Sequence, residues 1–277
     1  MSDSQSDDYW HGSLLRRCVE DPRPLAWIGL IVVCMAGWAF LASMAALQGI
    51  PSDNYLLSLI SALCTVSPAA WTIGDFAAAS AMWVAMAFAM MLPAGAPLLA
   101  TYLDISGAAK LKNMEVVSPV VLIGGYISVW IVFALLATAI QWGLTSFNAL
   151  SEDLTLLHPV AGGLVMIGAG LWQFTPVKHD CLTKCRRPFT WFMANWRDDE
   201  AGVFRLGVEQ GIFCLGCCWA LMAVMFVVGL MNLAWMAVIA IVMVLEKVIP
   251  NPKPLVYGTG VALLLGGAVI AVRGAGF

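Results

Sequence analysis

The sequence predicts an all-α fold, a polytopic transmembrane helix bundle. Two observations carry that prediction: apolar runs of spanning length recur along the chain, and the basic residues collect in alternate intervals between them. With 61% hydrophobic residues, 11% charged residues and a mean hydropathy of +0.86, the chain lies outside the range of soluble domains. A spanning helix takes about 20 mostly apolar residues. Such runs lie at 25–47, 77–100, 118–145, 157–176, 207–230, 232–249 and 255–273, which makes about seven spans. The expected organisation is a cytoplasmic amino-terminal segment at 1–24 and a transmembrane bundle at 25–277 with a cytoplasmic loop at 177–205.

The fifth and sixth runs are separated only by the region from Gly229 to Asn232, so both can span only through a very tight hairpin. The apolar stretch at 55–72 contains Ser67, Pro68 and Trp71 and lacks basic flanks; it is expected to be interfacial or re-entrant. Residues 1–10 are acidic and polar, and the apolar run behind them is too long for a cleavable signal and has no small-residue cleavage site.

Orientation follows from the basic residues, which favour cytoplasmic loops. Arg16, Arg17 and Arg23 precede the first run, and Lys110 and Lys112 follow the second. Lys178, Lys184, Arg186, Arg187, Arg197 and Arg205 lie between the fourth and fifth, and Lys247 and Lys253 after the sixth. Only Arg273 among the 14 dissents. The amino terminus is therefore expected inside and the carboxyl terminus outside.

Sulfur is concentrated in the fifth run. Cys214, Cys218, Met222 and Met225 follow i, i+4, i+8, i+11 spacing and line one helical face, with Cys217 beside them. Soft ligands of this kind select Cu(I) or another thiophilic metal. In the second run Met82, Met86 and Met90 repeat every four residues, beside Met91 and ahead of Pro93 and Pro97, which can kink a helix and free carbonyls. In the sixth, Asn232, Met236, Met243 and Glu246 share a face. Counting outward from the hairpin, Met222 and Met236 fall at similar depth and are expected to share an ion with Cys218. Methionine is also ordinary packing material in helix bundles, and a Met stripe alone reads more readily as core. Adjacent cysteines such as Cys217 and Cys218 point about 100° apart on a helix, so one thiol can face each neighbouring helix.

The loop at 177–205 holds His179, Cys181 and Cys185. In an irregular loop the three can close on one ion; on a helix the two cysteines sit one turn apart and His179 points elsewhere. Trp191, Phe192 and Trp196 beside Arg186, Arg187 and Arg197 suit an interfacial segment against anionic headgroups. Glu246 and Lys247 near the cytoplasmic boundary read equally well as a snorkelling anchor and as an ion-gating or proton-coupling pair. Cys18, Cys34 and Cys64 are isolated and read as packing residues, Asp75 as a helix cap or a cation collector, and His158 as a helix start.

The runs GIFCLGCCWALMAVMFVVGLMNLAWMAVIAIVMVLEK, WQFTPVKHDCLTKCRRP and MWVAMAFAMMLP resemble the bacterial family of predicted metal-binding integral membrane proteins, a domain-of-unknown-function family. The resemblance implies Cys181, Cys185, Cys214, Cys217, Cys218, Met222, Met231, Asn232, Met236 and Glu246 as candidate metal residues and leaves the metal open. One departure follows Met91, where Leu-Pro-Ala-Gly-Ala-Pro replaces a serine-containing turn.

Zinc-protease, nucleophile-elbow, P-loop and haem-attachment motifs are absent, and nucleic-acid binding has no support beyond the basic loop. The leading expectation is a non-enzymatic membrane protein that binds, delivers or transports Cu(I), with zinc a second candidate. Its candidate ligands are Cys214, Cys217, Cys218, Met222, Met225, Met236, Asn232, Cys181, Cys185, Met86 and Met90. The expected partners are the bilayer, the metal ion, and a metallochaperone or a membrane complex. The alternatives are a thiol-disulfide oxidoreductase using Cys181 and Cys185 with the membrane cysteines, and a structural subunit packing through Gly162, Gly163, Gly168, Gly170, Gly258, Gly260, Gly266 and Gly267.

Overall fold

The computed structural model describes residues 22–47, 71–112, 116–150, 155–230 and 232–275. The expectations for residues 1–21, for 55–70, and for Cys18, Cys64 and Met231 lie outside them. The described chain is helical, in the order α1 (Pro22–Leu47), α2 (Ile73–Ala94), α3 (Ala96–Lys110), α4 (Pro119–Ser146), α5 (Pro159–Gln173) and α6 (Pro176–Arg186). Then follow α7 (Pro188–Asn195), α8 (Glu200–Ala223), α9 (Met225–Val228), α10 (Leu233–Val248) and α11 (Lys253–Gly274).

Helix ends are set by local chemistry. Thr72 and Asp75 form a reciprocal capping box that starts α2, so Asp75 serves as a cap. Thr175 caps α6, Asp199 caps α8 and Asn232 caps α10, each accepting from a backbone N–H of the first turn. His158 stands at the start of α5. The tight connection before α10 turns at Gly229, whose φ of 97° only glycine adopts cheaply.

Among the described residues five helical segments are long and apolar enough to cross a membrane: Arg23–Ala46, Ile73–Ala94, Pro119–Ser146, Glu200–Val228 and Lys253–Gly274. The fourth predicted span, 157–176, is α5, which is too short to qualify alone and does so only together with α6, from the predicted loop, the two being turned by 64° between Gln173 and Pro176. Pro176 allows the new helix to begin because its missing N–H is one that a first turn does not need. The sixth is α10, with 16 residues; at 1.5 Å per residue that is about 24 Å, less than the hydrocarbon thickness. Outward faces are apolar, as at Val32 and Met35 on α1, Leu136 and Ile140 on α4, and Leu265 and Val272 on α11. Such faces suit lipid contact.

Two close helix contacts organise the bundle. A Cβ on Gly207 of α8 would lie 2.0 Å from the Leu122 carbonyl of α4, and one on Gly125 would lie 2.1 Å from the Phe204 carbonyl. The α5–α11 pair uses the same device: a Cβ on Gly163 would meet the Gly267 carbonyl at 2.6 Å, and one on Gly267 the Gly163 carbonyl at 2.7 Å. Small residues let backbones approach where no larger side chain fits. Gly163, Gly170, Gly260 and Gly267, expected as an interface to other subunits, are thus used within the chain.

The bundle has a basic end. Arg23 at the start of α1 pairs with Asp104 of α3 at 3.3 Å, and Arg186 at the end of α6 reaches the carbonyls of Lys247, in the last turn of α10, and of Ile249 and Pro250 beyond it. At the opposite end the Leu156 N–H donates to the Phe226 carbonyl, and Pro159 lies against Gly274.

Candidate metal centre

α8 is the central element, packed on α4 and α6. Its sulfur face, continued by Met225 at the start of α9, is buried, with Cys214, Cys217, Cys218, Met222 and Met225 all at most 1% exposed. Met86 and Met90 of α2 and Met236 of α10 are buried in the same apolar core. Met90 also lines a groove with Trp38 and Ala240. Asn232 is exposed, and its side-chain oxygen accepts from the Trp235 N–H as a helix cap.

The predicted loop at 177–205 is not an open hydrophilic excursion. Its first part is helix α6, which puts Cys181 and Cys185 one turn apart on the face that meets α8. Cys185 is buried and close enough to interact with Cys214 and Cys217, and the half-buried Cys181 interacts with Cys217. Gly216 makes the approach feasible, since a Cβ there would lie 2.8 Å from the Cys181 sulfur. Trp172 of α5 closes the contact by donating its indole N–H to the Gly216 carbonyl at 3.2 Å. His179 turns elsewhere and packs edge-on against Tyr257.

Around Cys214 the polar contacts are specific. The Lys247 ammonium donates to its sulfur at 2.9 Å, and the Tyr126 hydroxyl lies 3.0 Å from it while donating to the Met91 carbonyl at 2.9 Å. The thiols of Cys217 and Cys218 both donate to the Cys214 carbonyl, at 3.0 and 2.8 Å. The Cys218 sulfur also lies 3.7 Å from the thioether of Met91. Met91 adjoins the α2 stripe in the sequence and lies outside the expected ligand set. Its signal was the adjacency to Met90, which on a helix aims one thioether at each of two neighbours.

Glu246 and Lys247 are not interfacial anchors, being 1% and 4% exposed. Adjacent on α10, they diverge: Lys247 reaches Cys214, and Glu246 receives the Lys178 ammonium of α6 at 2.8 and 3.0 Å. The Gln173 amide oxygen accepts from the same ammonium. Sequence reasoning assigned Lys178 to the basic loop; its partner is 68 residues away, and nothing local announces it.

Among the described residues no three Cys, His, Asp or Glu side chains converge tightly enough to hold a metal ion. The donor set nonetheless suits a metal satisfied by few soft ligands. Cys218 and Met91, whose sulfurs lie 3.7 Å apart, are the pair that would hold it. A metal that demands four ligands is served less well.

Fold and centre together define an all-α bundle with membrane-length apolar helices and a buried core of thiols and thioethers. The PpoB2 copper chaperone family matches residues 80–270, well over half of the chain, and the chain belongs to that family. No curated protein and no solved structure matches it.

Proposed function

We propose that this protein is a non-enzymatic Cu(I) chaperone of the bacterial inner membrane, crossing the bilayer about seven times with its amino terminus in the cytoplasm. The observation that carries the reading is that α6, with Cys181 and Cys185, packs against the face of α8 that holds Cys214, Cys217 and Cys218, while the Met91 thioether of α2 lies 3.7 Å from the Cys218 sulfur. Cu(I) suits thiolate and thioether donors. A buried ion held by two thiolates carries one net negative charge, which the Lys247 ammonium at 2.9 Å from Cys214 would neutralise; at an effective dielectric of about 20 such an attraction is on the order of 4 kcal/mol at about 4 Å.

Ordered by position, the half-buried Cys181 is the accessible end of this set, Cys217 and Cys185 come next, and Cys214, Cys218 and Met91 lie at its buried end. Cu(I) passes along by exchanging one sulfur for the next, each site holding it weakly enough to release it. Met86, Met90, Met222, Met225 and Met236 extend the sulfur supply within the core. Delivery to a metallochaperone or a membrane complex then takes place at Cys181.

The proximity of Cys185 to Cys214 and Cys217 also favours a second reading, thiol-disulfide exchange with an external disulfide, in which two thiols lose two protons and two electrons and the external disulfide gains them. Titration of the purified, reduced protein with Cu(I) against a chromogenic Cu(I) chelator tests the first reading. The wild type should withhold Cu(I) from the chelator and Cys214→Ser/Cys218→Ser should not. Equal retention by both contradicts it.

A further inference from the structure

The basic end of the bundle carries a cleft of about 550 Å³ between α6 and the start of α11, which the copper reading does not use. Its cations are Arg186, Arg187 and Lys253, and its single carboxylate is Asp180. Arg186 is held in place: its Nε donates to the Lys247 carbonyl at 3.2 Å, and one terminal nitrogen donates to the carbonyls of Ile249 and Pro250. Its other terminal nitrogen makes no protein hydrogen bond among the described residues. Arg187 and Lys253 are exposed and form no ion pair there, and the two guanidiniums are close enough to repel one another. A fixed guanidinium beside two unneutralised cations is a preorganised receptor for a phosphate group.

Apolar surface adjoins the cationic wall. Tyr257, which lines the cleft, stacks on Phe174 with centroids 5.6 Å apart, and Phe174, Val177 and Tyr257 are 41%, 52% and 41% exposed. A free phosphate has no use for that surface, whereas the acyl chains below a headgroup do. The geometry points to a binding site for the phosphate headgroup of an acidic phospholipid, seated between Arg187 and Lys253 with its chains along Phe174, Val177 and Tyr257. The site stands independently of any metal. Basic pockets between helices at the cytoplasmic side hold such headgroups, each cation near the surface contributing about 1 kcal/mol.

The test uses the full-length protein in detergent micelles doped with phosphatidylglycerol, with phosphatidylcholine, or with inorganic phosphate, reading thermal stability and the lipid retained in native mass spectra. Phosphatidylglycerol should stabilise and be retained, while phosphatidylcholine and phosphate should do neither. Arg187→Gln/Lys253→Gln, two exposed changes, should weaken retention of phosphatidylglycerol about thirty-fold, from two lost cations at about 1 kcal/mol each. Undiminished phosphatidylglycerol retention in that variant overturns the site, and stabilisation by inorganic phosphate equal to that by the lipid overturns its assignment to a headgroup.

Discussion

Replacing Glu246 by Leu should be among the most damaging single changes in the chain, and the structure says how damaging. The Lys178 and Glu246 side chains are 0% and 2% exposed and their charged atoms lie 2.8 Å apart. Removing one partner of a buried pair leaves the other charge uncompensated and costs about 3–5 kcal/mol. Replacing both, as Lys178→Met/Glu246→Leu, removes that charge, and the residual cost is the Gln173 amide, which loses the ammonium it accepts from. An unpaired buried amide costs about 1–3 kcal/mol. The double variant should therefore be more stable than the single by roughly 2 kcal/mol. At about 2–4 °C per kcal/mol, the single variant should lose roughly 6–20 °C and the double regain at least 4 °C of it. Melting curves from intrinsic Trp fluorescence in detergent provide the assay. A single variant that melts with the wild type, or a double that melts below the single, would refute the reasoning that this pair fastens α6, and with it Cys181 and Cys185, to α10.

Gly207→Ala should cost about 3 kcal/mol or more, because its Cβ would lie 2.0 Å from the Leu122 carbonyl, whereas Gly168→Ala, with nothing within 4 Å, should be neutral or stabilising by up to about 1 kcal/mol; thermal melts of the two variants decide. Accessibility labelling of single cysteines introduced at Lys110, Arg187 and Lys253 should find all three on the cytoplasmic side, with Asp53, Glu152 and the carboxyl terminus outside; an external Arg187 would reverse the orientation proposed for every helix. Replacing both Cys181 and Cys185 by Ser should slow transfer of Cu(I) to an external thiol acceptor while the centre at Cys214 and Cys218 still fills. Loss of disulfide exchange with unchanged Cu(I) transfer would favour the oxidoreductase reading.

Much of the centre was legible because helical periodicity is a local property. The spacing of Cys214, Cys218, Met222 and Met225 specifies one face, and that face is buried. The glycines of α5 and α11 were likewise visible as close-contact residues, but a single sequence does not say whether such contacts fall within one chain or between two. Partnerships across the fold were not visible. Cys181 and Cys185 looked like loop thiols because the interval around them is hydrophilic, yet that polarity comes partly from Lys178, whose charge is matched by Glu246 and not by water. Glu246 and Lys247 read equally well as an anchor and as an ion-gating or proton-coupling pair, because hydropathy places charges at interfaces and says nothing of their partners. Only the approach of α6 and of Cys214 reveals that each has its own buried partner. The expected sharing of an ion by Cys218, Met222 and Met236 remains a proposal; the thioether against the Cys218 sulfur is that of Met91.

X-ray absorption at the copper edge of the Cu(I)-loaded protein tests the central claim most directly. The account predicts a first coordination shell of two or three sulfur atoms in the wild type, and one sulfur fewer, or lost copper, in Cys218→Ser/Met91→Leu. A shell dominated by nitrogen or oxygen, or one unchanged in that variant, would contradict it.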